Sequence, residues 1–180
     1  NAVAFKYLAD SSSDIKLSIN SVRDSALMGA LLAILVLFFF LHNVRTTLII
    51  GISIPLSILL AFIAMTLKGQ SLNIMSLGGI TVAIGMIVDS SIVVLENTHR
   101  HFLLTGDRKK AASIGASEVG GAVVASTTTT LAVFVPLLFV KGFAGRVLRD
   151  VSYSIIWAIT GSMIVAIIVV PFLSALWLKK

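Results

Sequence analysis

Four long stretches of this chain carry no charge, and a fifth carries a single one. The uncharged runs cover 25–41, 46–67, 119–140 and 151–178, and residues 71–95 form another, broken only by Asp89. An α-helix rises about 1.5 Å per residue, so roughly 20 apolar residues cross a 30 Å hydrocarbon core. The pattern predicts an all-α membrane bundle of five helices, over about 25–42, 46–67, 71–97, 119–140 and 151–178. The first run is short and takes its outer turn from Asn20–Asp24. The last is long enough to tilt, or to lay its first turn in the interface. Pro55 is expected to kink the second helix, because it removes a backbone donor.

The links between these runs are brief and polar. His42–Arg45 and Lys68–Gln70 are predicted as tight connections. Thr98 to about Lys110 is predicted as a basic loop, and Lys141–Asp150 as a turn marked by Gly142 and Gly145. Residues 1–24 are polar and rich in Ser, Asp and Asn. They read as the end of a preceding domain, with 25–180 forming the bundle.

Composition agrees with lipid as the solvent. Hydrophobic residues make up 57% of the chain and charged residues 12%, where a soluble domain carries about 25% charged. The net charge of +6 does not point to nucleic acid, because the basic residues are scattered between apolar runs, mostly at their ends. Cysteine is absent, which removes disulfides and thiolate metal sites.

Arg45, Arg100, Arg108, Lys109, Lys110, Lys179 and Lys180 fall on one side of a five-span arrangement. Lys6, Lys16, Arg23, Lys68, Lys141, Arg146 and Arg149 fall on the other. Charges in a large translocated domain do not count in the positive-inside rule. Discounting Lys6 and Lys16 places the Thr98–Lys110 loop and the C-terminus in the cytoplasm.

Asp89 is the residue that suggests chemistry. A carboxylate at a helix centre costs about 2.5–3.5 kcal/mol on insertion scales. Its side chain is too short to reach the interface, since Glu96, seven residues on, lies about 10 Å further along the helix. Such a residue is an ion-coupling carboxylate facing the bundle interior, or a structural polar group bonded between helices; its depth favours the first. Gly78, Gly79, Ala83 and Gly85 precede it and allow close helix packing. Glu96, on nearly the same face as Asp89, is either a proton exit or an interfacial cap. Ser126 and Thr127–Thr130 place five hydroxyls in a row. Thr127, Thr128 and Thr130 are thus candidates for a proton path, although such hydroxyls more often bond their own helix carbonyls. His99 and His101 point about 200° apart on a helix, so they do not chelate one ion. No Gly-x4-Gly-Lys-Ser/Thr loop is present, and nothing predicts a cofactor.

These residues also resemble a known family. Leu72-Asn73-Ile74-Met75-Ser76-Leu77-Gly78-Gly79, Ala83-Ile84-Gly85-Met86-Ile87-Val88-Asp89 and Ile92-Val93-Val94-Leu95-Glu96-Asn97 together look like the fourth transmembrane helix of resistance–nodulation–division pumps of the AcrB type. Asn43-x-Arg45-x-Thr47-Leu48-Ile49 and Ile54-Pro55-Leu56-Ser57 resemble their second and third helices. Ala116-Ser117-Glu118-Val119-Gly120 and Ala132-Val133-Phe134-Val135-Pro136 resemble the fifth. The chain is therefore similar to helices two to six of the N-terminal half.

The resemblance implies a multi-pass inner-membrane transporter, not an enzyme, that exports drugs or other amphiphiles by proton antiport. It implies a homotrimer, a C-terminal half carrying a partner Lys, a periplasmic adaptor and an outer-membrane channel. It also makes 1–24 the end of a periplasmic domain. Asp89 matches the family's proton-carrying Asp; Ser90 departs from it, because many drug pumps have a second Asp there. The competing reading is a five-helix lipid- or sterol-sensing module that binds without pumping.

Overall fold

The computed structural model describes residues 43–178 together with 20, 23, 24, 27–29, 31, 32, 34–36, 38 and 39. The expected domain end at 1–24 lies almost wholly outside the described residues, and the expected first helix at 25–42 lies partly outside them. Those of its residues that are described are helical. The remaining elements are α1 (Val44–Leu67), α2 (Ile74–Thr105), α3 (Arg108–Phe134) with a 3-10 turn at Pro136–Phe139, and α4 (Gly142–Ile164). A π-helical turn, Val165–Val169, joins α4 to α5 (Val170–Trp177) in one rod. Among the described residues there is no strand. Four helical stretches, Val44–Leu67, Ile74–Thr105, Arg108–Phe139 and Gly142–Trp177, are long and apolar enough to cross a membrane.

Helices α1, α2 and α3 each start at a capping side chain that the sequence supplies. Asn43 accepts from the Arg45 N–H at 3.0 Å. Asn73 and Ser76 form a reciprocal capping box, with both bonds at 2.8 Å. Asp107 accepts from the N–H groups of Lys109 and Lys110. Helix α2 ends at Gly106, whose φ of 71° is a left-handed conformation that glycine adopts without strain.

The basic segment 98–110 is therefore not a loop. The helices continue through it and turn only at Gly106–Asp107. At 32 residues, α2 is about 48 Å long, well beyond the hydrocarbon thickness. Its polar C-terminal part and the start of α3 thus project from the membrane as a helical hairpin. Likewise, the turn expected over 141–150 shrinks to the residues before α4, which is helical from Gly142. Helix α1 stays α-helical through Pro55. An irregularity falls just before Pro171, where the missing N–H and the ring's clash with the preceding turn account for the wider π turn.

Lipid tails are as apolar as leucine, so helices associate here through close packing and hydrogen bonds. Helix α2 is central to both main clusters. Val88, Val94 and Leu95 pack with Ile49, Ile50 and Ile54 of α1, Val123 of α3 and Val170 of α5. Ala83, Ile84 and Ile87 pack with Ala61 of α1 and Ile155, Ala158 and Ile159 of α4. Small residues set the spacing. A β-carbon on Gly79 would lie 2.7 Å from the Val151 carbonyl oxygen of α4. One on Gly115 would lie 2.7 Å from Thr98 Cα of α2, and one on Gly161 would lie 2.9 Å from the Ser57 carbonyl oxygen of α1.

Gly161→Leu should therefore push α4 off α1 and destabilise the bundle by about 1–3 kcal/mol, the usual range for overpacking. Gly78 meets nothing within 4 Å. Gly78→Ala should be neutral or stabilise by up to about 1 kcal/mol through helix propensity. Thermal unfolding in detergent compares the two, and equal melting temperatures would contradict the packing described.

Candidate functional site

Asp89 lies 15 positions after the start of α2, about 22 Å along its axis, which puts it near the middle of the span. It lines a cleft of about 350 Å³ between α2, α3 and α4, together with Gly85, Met86, Ser90, Ser126, Thr127, Thr130 and Ile159. Gly85 stands one turn before Asp89, and nothing lies within 4 Å of the position its β-carbon would take. Its role at this level is to leave the cleft open, while close packing of α2 falls to Gly79.

The Asp89 carboxylate faces out of this chain and makes no hydrogen bond or ion pair among the described residues. Its surroundings are hydroxyls. Ser126, Thr128, Thr129 and Thr130 each donate to a carbonyl three or four residues earlier in α3, at 2.7–3.1 Å. Such bonds satisfy a hydroxyl in lipid. Thr127 is the exception: it is buried, makes no such bond among the described residues, and lines the cleft beside Asp89. The structure thus brings together Asp89, Thr127 and Thr130, with Ser90 and Ser126. It does not bring in Thr128, which is exposed and bonded to the Val124 carbonyl. Glu96 is exposed further along α2 and does not line the cleft.

Two polar networks fix α2 on either side of this level. At its N-terminal end, the Asn73 side-chain amide donates to Asp150 Oδ2 at 2.7 Å, tying the cap of α2 to α4. Beyond Glu96, Glu118 of α3 gathers several partners from α2. Asn97 donates to it at 3.0 Å, Arg100 spans both carboxylate oxygens at 3.2 Å, and His101 Nε2 lies 2.6 Å from Oε2. No local pattern marks this group, because its members lie 17 to 21 positions apart. Given a turn at Gly106–Asp107, antiparallel pairing would have set Glu118 opposite Asn97–His101. Nearer Asp89, the buried Ser162 hydroxyl of α4 donates to the Ile87 carbonyl of α2, locking the backbone two residues before the carboxylate.

Helix α3 contributes most of the hydroxyls but is the least enclosed. Only 11% of its most apolar window is buried in the chain, against 39–44% for the other three spans. Much of α3 is therefore available to lipid or to further protein.

The family model for AcrB/AcrD/AcrF matches residues 1–180. Multidrug resistance protein MdtC of Salmonella arizonae is 38% identical over 179 residues, covering 99% of this chain. Swarming motility protein SwrC of Bacillus subtilis is 36% identical over 181 residues, covering 98%. MdtC of Yersinia pestis is 40% identical over 171 residues, covering 95%. The chain spans 17% of the length of each of these relatives.

Removing the Ser162 donor should loosen α4 from α2. Interhelical hydrogen bonds in membranes contribute about 0.6 kcal/mol on average and up to about 1.7, so Ser162→Ala should lower stability by that range. Reversible unfolding in mixed micelles measures it; unchanged stability would remove this bond from the supports of the site.

Proposed function

The chain belongs to the AcrB/AcrD/AcrF family, and on that footing we propose that it is the membrane core of a proton-driven efflux transporter, with Asp89 as the proton carrier. The observation that carries the reading is a carboxylate near mid-membrane, without a partner among the described residues, opening on a cleft of hydroxyls. As an anion Asp89 only accepts hydrogen bonds; protonated, it also donates one. Each proton taken up or released therefore changes both its charge and the bonds it can make with Thr127, Ser90 and Thr130. In lipid that change is large enough to bias one helix arrangement over another. A proton crossing the membrane supplies about 2.3 kcal/mol per 100 mV, and the carrier converts this into movement.

Thr127 and Thr130 form the path at the level of Asp89, and Glu96 marks its outlet toward the cytoplasm. Thr128 has the weakest case, because its hydroxyl is already bonded outside the cleft. The little-buried α3 and the outward-facing Asp89 fit a second helix bundle, the C-terminal half of the transporter, whose Lys would pair with the anion. The assembled protein would be an inner-membrane homotrimer, working with a periplasmic adaptor and an outer-membrane channel to export drugs or other amphiphiles.

Asp89→Asn in the full-length protein should abolish uncoupler-sensitive drug efflux while leaving its level in the membrane nearly unchanged. Asn keeps the shape and is easier to bury, but it does not exchange a proton. Ser90→Ala should do far less harm. Wild-type efflux by the Asn variant would sink the assignment and favour a sensing module without pumping. Orientation has its own test, by labelling single-Cys variants at Gly69 and Gly106 from outside whole cells. Position 69 should label and position 106 should not; the reverse pattern would invert the topology.

A further inference from the structure

At the hairpin end of the bundle, a second cleft of about 370 Å³ is lined by Arg45, Leu48, Arg108, Leu176 and Trp177. It draws on three separate elements: the first turns of α1, the first residue of α3 and the last turn of α5. Arg45 is exposed, and its guanidinium makes no hydrogen bond or ion pair among the described residues. Arg108 donates through one NH group to the Leu176 carbonyl at 3.2 Å. That bond uses one of five N–H donors and fixes the fork beside the cleft. Among the described residues, no carboxylate lines the cleft. The acidic residue next in sequence, Asp107, is occupied in capping α3.

The apolar side is equally defined. Leu48 lies three residues after Arg45 on the same helix face, and Leu48 and Leu176 are each about half exposed. Trp177 ends the last apolar span, the position where an indole rests at the level of lipid headgroups. Two guanidiniums above a leucine floor, with a tryptophan at the interface, match a molecule that is anionic at one end and apolar at the other. Bidentate binding of phosphate oxygens is the ordinary use of arginine. Basic pockets between transmembrane helices hold anionic lipid headgroups on the same principle.

We infer that this cleft is a binding site for the phosphate headgroup of an anionic glycerophospholipid, whose acyl chain runs along Leu48 and Leu176. Arg45 and Arg108 recognise the phosphate, and Trp177 sets the depth. The site is remote in sequence and in lining residues from the Asp89 cleft and does not depend on proton coupling. Bound lipid would tie the ends of α1, α3 and α5 together where, among the described residues, a single hydrogen bond from Arg108 to Leu176 joins them.

Native mass spectrometry of the full-length protein in mild detergent tests this, with phosphatidylglycerol and phosphatidylcholine titrated separately. Phosphatidylglycerol should be retained more strongly. Arg45→Ala should weaken its retention about fivefold, the ordinary effect of one basic side chain at an anionic membrane surface. Arg45→Ala/Arg108→Ala should weaken it by roughly tenfold or more. Lys109→Ala/Lys110→Ala removes the same charge outside the cleft and should weaken retention clearly less than the double Arg variant does. Because the Arg45 side chain is exposed and makes no bond among the described residues, the single variant keeps the test independent of any folding defect from losing Arg108. Equal losses in the two double variants would mean a diffuse charge effect and overturn the site. Displacement of the lipid by inorganic phosphate at similar concentration would also overturn it, by showing a simple anion site without use for the acyl chain.

Discussion

Gly79 against Val151 and Gly115 against Thr98 bring the backbone of α2 into direct contact with α4 and α3. In water, such contacts would be one contribution among many. In lipid, exposing an apolar side chain to a neighbouring tail is nearly neutral, so close approach and the hydrogen bonds it permits decide which helices pair. That constraint explains why the buried polar residues of the bundle are chiefly serines and threonines. It also explains why α2, the helix carrying the acidic residue, is the one held on several sides.

The arrangement leaves Asp89 at a fixed depth with a free face. The Asn73–Asp150 bond anchors one end of α2, Ser162 holds the Ile87 carbonyl, and Glu118 clamps the emerging end to α3. Between them the cleft has room, because Gly85 presents no side chain and Thr127 keeps its hydroxyl out of the intrahelical pattern of its neighbours. A carboxylate held so firmly by its backbone, yet without a side-chain partner among the described residues, suits a group whose charge must change without the helix dissolving around it. The low burial of α3 leaves space for the counter-charge to come from another part of the protein.

Much of this was legible from residue patterns. The apolar runs predicted helices, and the single charge within 71–95 singled out Asp89. The hairpin was missed because polar, basic composition resembles a loop. Yet Thr98 and Phe102, and Ala111 and Gly115, recur at the four-residue spacing of a buried helix face, and the structure buries all four. The row of hydroxyls on α3 showed that some faced protein, but only the relative phase of two helices separates Thr127 and Thr130 from Thr128. The π turn before Pro171 is not legible locally, because a proline inside an apolar run gives no sign of whether the helix kinks or widens around it. Ion pairs such as Glu118 with Arg100 depend on where the chain reverses, which local sequence gives only once the turn is known.

The central claim is that Asp89 exchanges a proton inside the membrane. Infrared difference spectroscopy of the full-length protein, recorded between acidic and alkaline pH, observes carboxyl protonation directly. The account predicts a carboxylic-acid carbonyl band that is lost as pH rises and that is missing in the Asp89→Asn variant. Identical difference spectra from the wild type and the variant would mean that Asp89 does not titrate, and the proton-carrier reading would fall.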